Sequence, residues 1–127
     1  MEHWRLTEHN GARFIEAEAG VRLLHTVDDV SGIIEVCFSL GALSALVRAE
    51  NLTEKFFDLS SREAGGILGR LRNYRIRLAV VCIPGAVAFS TRFHEMAREE
   101  SASGYFQLVD SAEAGREWLA SQTISAD

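Results

Sequence analysis

The run from Ile76 to Ile83 constrains the fold of this chain more than any other feature. It reads Ile-Arg-Leu-Ala-Val-Val-Cys-Ile and ends at Pro84-Gly85. A nearly continuous apolar run of this length is typical of a strand that is buried on both faces, because a solvated face would need polar residues at alternate positions. The sequence therefore predicts a central strand in a sheet that is covered by helices.

The start of the chain predicts a β-hairpin. Two short alternating segments, residues 3–8 and 12–18, flank the pair Asn10-Gly11. A type I′ turn needs positive φ at both central positions, and Asn and Gly adopt it readily. Residues 21–25 either extend this hairpin or lead into the first helix.

Helical and strand patterns then alternate along the chain. Helical spacing follows Asp28-Asp29 and stops at Gly41. The predicted order continues with a strand over 43–49, a helix opened by a capping box of Ser60 and Glu63, the strand over 76–83, a helix over 87–99, a strand over 105–109, and a helix capped at Asp110 or Ser111. Such alternation implies parallel pairs joined by right-handed crossovers. We therefore predict an α/β fold, a single domain over residues 1–127, with a mixed sheet of about five strands and about four helices.

Composition excludes several classes of protein. The formal net charge of -5 disfavours nucleic-acid binding, because an acidic chain gains little from phosphate contacts. Residues 1–6 lack the apolar segment of a signal peptide, and no apolar run is long enough for a membrane span, so we expect a cytoplasmic protein. Cys37 and Cys82 are predicted to be small buried hydrophobic residues.

A resemblance covers most of the chain beyond the hairpin. The residues that carry it are Glu50-Asn51-Leu52-Thr53, Phe56-Phe57-Asp58-Leu59-Ser60, Ala64-Gly65, Ile67-Leu68, Asn73-Tyr74-Arg75 and Leu78-Ala79, with a weaker likeness through Phe106 and Val109 to Leu119. Together they resemble the bacterial family catalogued as domain of unknown function 4180. That family has no assigned activity, so the resemblance implies membership without a mechanism. Other members carry a polar, often acidic loop where this chain has Pro84-Gly85-Ala86-Val87.

The element order also resembles the STAS domains of anti-sigma-factor antagonists and anion transporters. In those domains a Ser at the start of the helix after the third strand can be phosphorylated, and Asp58-Leu59-Ser60-Ser61 occupies a comparable place here. The resemblance thus implies Ser60 as a phosphoacceptor. The residues themselves have a simpler interpretation, which we favour: Ser60 caps the helix and Glu63 returns the bond.

A candidate ligand site follows the predicted strand over 43–49. Glu50 and Asn51 lie at the carboxyl end of that strand, where open α/β sheets place their ligands, and Phe56, Phe57 and Asp58 come soon after. Acids beside an aromatic wall suit a cationic or hydrogen-bonding ligand. The alternative, which we favour, is that the Phe side chains belong to the core and the polar ones bond to turns of the backbone.

Two further patterns have structural interpretations. The glycines within Gly65–Gly69 lie inside a predicted helix, so they are no phosphate loop, and we expect them to allow close helix packing. Five arginines, at positions 62, 70, 72, 75 and 77, suit either an acidic or nucleotide partner or a solvated face, and we expect the solvated face. The four histidines have no spacing that brings two of them to one metal.

The sequence contains no nucleophile elbow, Walker loop or zinc-binding helix, so we predict no catalytic residue, cofactor or metal. The first hypothesis is a non-catalytic regulatory or binding module of STAS-like type, which acts on a protein partner or a small ligand. The alternative is a small enzyme or ligand carrier that uses the candidate site after the strand over 43–49. A homodimer would cover aromatic side chains expected at the surface near Trp4 and Trp118.

Overall fold

The computed structural model describes residues 3–21, 23, 29–52, 63–82 and 91–125. They form five strands and four helices in the predicted order. The elements are β1 (Trp4–His9), β2 (Ala12–Ala17), α1 (Val30–Leu40), β3 (Ser44–Arg48), α2 (Glu63–Asn73), β4 (Arg77–Val81), α3 (Thr91–Ser103), β5 (Phe106–Val109) and α4 (Ala112–Ser125), with a short 3-10 turn over Ala49–Asn51 after β3. The prediction of a mixed α/β fold is confirmed.

The five strands form one sheet in sequential order, β1-β2-β3-β4-β5. β1 and β2 are antiparallel, and each later pair is parallel. The hairpin turn has positive φ at Asn10 (52°) and Gly11 (84°), as a type I′ turn requires. Both the hairpin and the parallel pairs are therefore confirmed.

The two faces of the sheet are covered unequally. Helices α1, α2 and α3 pack on one face, because successive right-handed crossovers that move in one direction place their helices on the same side. Helix α4 alone packs on the other face and crosses all the strands. Leu78 and Val80 of β4 face the three-helix side, whereas Ala79 and Val81 face α4. This two-sided burial explains the continuous apolar run in the sequence.

Several boundaries differ from the prediction. Strand β4 ends at Val81, and Cys82 is half-exposed, which contradicts its predicted burial, although its N–H still donates to the carbonyl of Val109 at 2.8 Å. Helix α3 continues to Ser103 and ends where Gly104 takes a φ of 83°. Residues 83–90 lie outside the described part. Of residues 21–25, Val21 and Leu23 are described, and they belong to neither a strand nor a helix.

The tryptophans do not supply the exposed surface on which the homodimer argument depended. Trp4 packs, partly buried, against the larger core, and Trp118 packs in the same way against the smaller cluster of Phe14, Leu46, Ala79 and Leu119. Large side chains with a partner inside the fold need no second copy to cover them. The homodimer stays a prediction, without this support.

Two glycines of α2, Gly65 and Gly69, do not provide the predicted close packing. A Cβ added at Gly65 or Gly69 would have no described neighbour within 4 Å. The close approach lies in α4 instead. A Cβ on Gly115 would lie 2.6 Å from Cδ1 of Leu46 and 3.3 Å from Cγ2 of Val109, so a glycine here lets the helix reach the sheet.

Alanine substitutions at these positions should therefore have opposite effects. We expect Gly69→Ala to raise the free energy of unfolding by about 0.5–1 kcal/mol, because alanine favours the helix and has room. Gly115→Ala should lower it by about 1–2 kcal/mol, because overpacking outweighs the gain in helix propensity. Urea unfolding of both variants measures the difference. A stabilised Gly115→Ala would contradict the packing of α4.

Candidate functional site

An open groove of about 390 Å³ lies at the carboxyl end of β2, beside the ends of β1 and β3. We call it the hairpin groove. Its lining residues are His3, Trp4, Arg5, Glu16, Ala17, Glu18, Ala19 and Arg48. In open α/β sheets the carboxyl ends of parallel strands are where ligands bind. The groove is thus in the part of the fold where a site is expected, although it lies nearer the hairpin than the sequence suggested.

Strand register places the charged side chains of the groove on one face of the sheet. Arg5 is opposite Glu16, and Glu16 is beside Leu46, which belongs to the face covered by α4. Side chains two residues apart in a strand share a face, so Glu18 and Arg48 lie on this face as well. The α4 face is therefore apolar beneath the helix and charged toward the hairpin.

Glu16 is the buried anchor of this charged region, with 2% of its surface exposed. Its Oε2 accepts a hydrogen bond from Nη2 of Arg5 at 2.6 Å, and its Oε1 accepts one from Nε of Arg116 on α4. Burial alone would raise the pKa of Glu16, but the hydrogen bonds and charges of Arg116 and Arg5 outweigh it and hold the pKa below the ordinary value of 4.5. In return, the bond to Glu16 raises the pKa of Arg116. Glu16 is therefore ionised in the folded protein, and its bonds link the hairpin to α4.

His3 and Glu18 form a second pair at the mouth of the groove. Nδ1 of His3 lies 2.7 Å from Oε2 of Glu18, and the side chains are 39% and 57% exposed. A carboxylate on one ring nitrogen orients an imidazole and leaves the other nitrogen, Nε2, to bond to a ligand or to exchange a proton. The pair gives the groove a positioned polar group that water reaches freely.

Arg48 differs from the other arginines of the groove because no carboxylate of the described residues pairs with it. Its half-buried side chain donates one hydrogen bond, from Nη1 to the carbonyl of Ala17 at 3.1 Å. A guanidinium has five N–H donors, so most of the donors of Arg48 remain available. The lining residues Arg5 and Arg48 balance the formal charges of Glu16 and Glu18. Arg116, which is not a lining residue, bonds to Glu16 from α4.

Asn51, one of the predicted site residues, forms hydrogen bonds with backbone groups around the groove. It is fully buried; its Oδ1 accepts from the N–H of Arg48 at 2.7 Å, and its Nδ2 donates to the carbonyls of Glu18 and Val21 at 2.9 and 2.6 Å. The bond from Arg48 closes the turn after β3, and the two bonds donated by Nδ2 join this turn to the segment after β2. Asn51 therefore shapes the border of the groove and offers no free group to a ligand.

The other predicted site residues have different outcomes. Glu50 is exposed, and its Oε2 would lie 3.6 Å from a Cβ added at Gly20, in the segment that Asn51 holds. Phe56, Phe57, Asp58 and Ser60 lie outside the described residues. The structure thus brings Glu50 and Asn51 to the side of the hairpin groove.

Sequence analysis missed the groove residues, although a signal was present. Glu16 interrupts the otherwise apolar run from Phe14 to Ala17, and a charge on the buried face of a strand calls for partners. One of these partners, Arg116, could not be read from the sequence, because it is 100 residues away.

The arginines of the 62–77 segment are dispersed rather than gathered into one site. Arg72 makes two hydrogen bonds to the carboxylate of Glu100, at 2.9 and 2.7 Å. Arg77 donates to the carbonyl of Gly104 at 3.1 Å, and its guanidinium lies 5.0 Å from the ring centre of Tyr105. Arg70 lies within 3.4 Å of the hydroxyl of Ser31, and Arg62 is outside the described residues. No phosphate-binding cluster forms from the described members.

The described residues offer neither a metal-binding cluster nor a membrane-spanning helix. No three His, Cys, Asp or Glu side chains in that part of the chain come close enough together to hold a metal ion. No helix there combines the length and the apolar composition that crossing a membrane requires.

Comparison with known proteins supplies a family and no activity. Neither a curated protein nor a solved structure matches this chain. A family model does match, over residues 9–119, which begin at the last residue of β1 and end within α4. Since this match covers most of the sequence, the chain belongs to the family described as "Domain of unknown function (DUF4180)".

Proposed function

We propose that this protein is a non-catalytic binding module that takes small anions, carboxylates or phosphates, in the hairpin groove. The observation that carries the proposal is Arg48, a half-buried guanidinium that has no carboxylate partner among the described residues and lines the groove. Guanidinium groups bind carboxylates and phosphates through paired N–H donors. An anion would supply the charge partner that the fold does not.

The rest of the groove supports this choice of ligand. Glu16 is neutralised by Arg5 and Arg116, so it does not repel an anion in the way a free carboxylate would. The pair of His3 and Glu18 offers a further hydrogen-bonding group at the mouth. Because Arg48 is partly buried, its attraction for an anion is screened less than that of a surface arginine.

The proposal retains the hypothesis of a cytoplasmic binding or regulatory module of STAS-like type, and it moves the site from the segment around Asp58 to the groove. The alternative, a small enzyme, has one observation in its favour. The carboxylate of Glu18 orients the imidazole of His3 beside the proposed anion site, and such a pair transfers protons in many enzymes.

Ligand-dependent thermal unfolding tests the proposal. We expect inorganic phosphate or members of a panel of small carboxylates to raise the melting temperature, and matched cations such as choline to leave it unchanged. In Arg48→Met, which keeps an unbranched apolar stem, the dissociation constant of the best anion should rise about tenfold or more, because a hydrogen bond to a charged group contributes about 1.5–3 kcal/mol.

The control variant is Arg98→Met, which removes an exposed guanidinium of α3. It should bind as the unchanged protein does. The proposal would be contradicted if anions raised the melting temperature of Arg48→Met as much as that of the unchanged protein, or if cations raised it. Chemical turnover of a bound anion that His3→Gln abolishes without loss of binding would favour the enzyme instead.

A further inference from the structure

An aromatic patch lies at the edge of the sheet opposite to the groove. It consists of Phe38, Leu43 and Tyr74, which are 59%, 52% and 46% exposed. Phe38 is in the last turn of α1, Leu43 directly precedes β3, and Tyr74 follows α2. All three are therefore at the amino ends of the central strands, and they are the large apolar side chains most exposed among the described residues.

The members of the patch adjoin one another. The ring centres of Phe38 and Tyr74 are 5.9 Å apart, with planes at 72°, which is an edge-to-face contact. The N–H of Arg77 donates to the carbonyl of Leu43 at 3.1 Å, so the start of β4, three residues after Tyr74, lies against Leu43. Aromatic side chains that contact each other in water instead of entering the core mark a surface for interaction.

Positive charge accompanies the patch. Arg75 directly follows Tyr74, is exposed, and pairs with no carboxylate of the described residues. Arg77 bonds to a carbonyl and a ring, so its charge is not neutralised either. Arg13, beside Gly41, pairs with Glu8 at 3.5 Å, and Glu35 is the acid that precedes Phe38 by one turn of α1. Among the described residues around the patch, the unpaired positive charges are therefore those of Arg75 and Arg77.

The backbone at Arg75 strengthens this argument. Helix α2 ends with N–H bonds from Arg75 to the carbonyl of Arg72 and from Ile76 to that of Leu71, both at 2.9 Å, and Arg75 has a φ of 58°. This is a Schellman ending, in which glycine usually takes the left-handed position because a side chain there is strained. Arginine stands at this strained position, and its guanidinium group lies next to Tyr74 in the sequence.

We propose that the aromatic patch docks a segment of a partner protein whose apolar side chains are flanked by carboxylates. Aromatic and arginine side chains together are the composition of binding hot spots, and unpaired guanidinium groups select acidic neighbours. A second copy of this chain fits less well, because a twofold interface through the patch would set Arg75 against Arg75.

Two fluorescent peptides test the proposal. Both carry the same Leu and Trp residues at helical spacing, and the remaining positions are Glu in one and Lys in the other. The protein has a net charge of -5, so its overall electrostatic field attracts the Lys peptide and repels the Glu peptide. Tighter binding of the Glu peptide can therefore arise only at a local positive surface. We expect the Glu peptide to bind more tightly, by about fivefold or more.

Variants locate the binding. Phe38→Ser should raise the dissociation constant of the Glu peptide about tenfold. Arg75→Glu should make the Lys peptide the tighter ligand of the two. The control is Arg98→Glu on α3, which changes the net charge by the same amount as Arg75→Glu. It should alter the affinities for the two peptides much less. Circular dichroism melting checks that each variant is folded. Equal binding of both peptides, or unchanged affinity in Phe38→Ser, would overturn the proposal, as would a dimer in sedimentation that Phe38→Ser dissociates.

Discussion

Glu16→Ala is expected to lower the free energy of unfolding by about 2–3 kcal/mol, because the hydrogen bonds of a buried carboxylate to two guanidinium groups are lost. Glu16 is 2% exposed, and the side chain of Arg116 that it binds is 30% exposed. Removing the carboxylate would leave Arg116 beneath the sheet with its hydrogen bond lost. The link between the hairpin and α4 would be lost with it, since Arg5 reaches Glu16 from the hairpin.

The isosteric substitution at this position, Glu16→Gln, should change how stability depends on pH. The pKa of Glu16 is lower in the folded protein than its ordinary value of 4.5, so the unfolded chain binds this proton more readily. The contribution of Glu16 is therefore complete above the unfolded value and is lost as pH falls through the folded one. The stability difference between the unchanged protein and Glu16→Gln should be largest near neutral pH and should narrow below pH 4.5.

Glu18→Gln is the matched control, because Glu18 shares the face and the strand end but is 57% exposed. It should change stability by about 0.5 kcal/mol or less, as surface ion pairs usually do. Urea unfolding across a pH series measures all three proteins. A Glu16→Gln curve that runs parallel to that of the unchanged protein would contradict the ion pair.

Asn51→Ala is expected to cost about 2–3 kcal/mol, because three backbone groups lose their partners when the amide is removed. The losses are the acceptor for the N–H of Arg48 and the donors for the carbonyls of Glu18 and Val21. The segment after β2 would lose two of its bonds to the end of β3 and keep the one from the N–H of Leu23 to the carbonyl of Asn51. Affinity for anions in the groove should therefore fall along with stability, although Asn51 contacts no ligand in this account.

Asn51→Asp separates the two kinds of bond, because it keeps the acceptor for Arg48 and loses both donors. At neutral pH its stability should lie below that of Asn51→Ala, because a buried carboxylate would face the carbonyl oxygens of Glu18 and Val21. The control is Glu50→Ala, at the adjacent exposed position, which should change stability by about 0.5 kcal/mol or less. Urea unfolding gives the order. An Asn51→Ala variant as stable as Glu50→Ala would show that the amide does not hold the segment.

Local patterns in the sequence predicted the fold because each one has a local physical cause. The apolar run at 76–83 required burial on both faces, and Asn10-Gly11 required positive φ; both requirements are met in β4 and the hairpin turn. The prediction of close packing was wrong at Gly65 and Gly69, because the sequence does not show which side chains lie against a glycine in a helix. At Gly115 of α4 the close neighbours, Leu46 and Val109, are present.

The candidate site was less predictable because it depends on distant pairs. Glu16 meets Arg5 across the hairpin and Arg116 from the last helix, and only the folded sheet shows that these contacts satisfy it and leave Arg48 free of a carboxylate. The arginines of 62–77 illustrate the reverse case. They are adjacent in sequence, but Arg72 pairs with Glu100 of α3, and Arg77 stacks on Tyr105 beside β5.

The most direct test of the central claim is an NMR titration of the labelled protein with inorganic phosphate, and separately with acetate, that follows the backbone amides and the Nε–H signals of the arginines. If the hairpin groove binds anions, the signals of Arg48, His3 and the amides of residues 17–19 shift together with one dissociation constant. Shifts confined to Arg75 and its neighbours, or no movement of the Arg48 signal while other arginines respond, would contradict the claim.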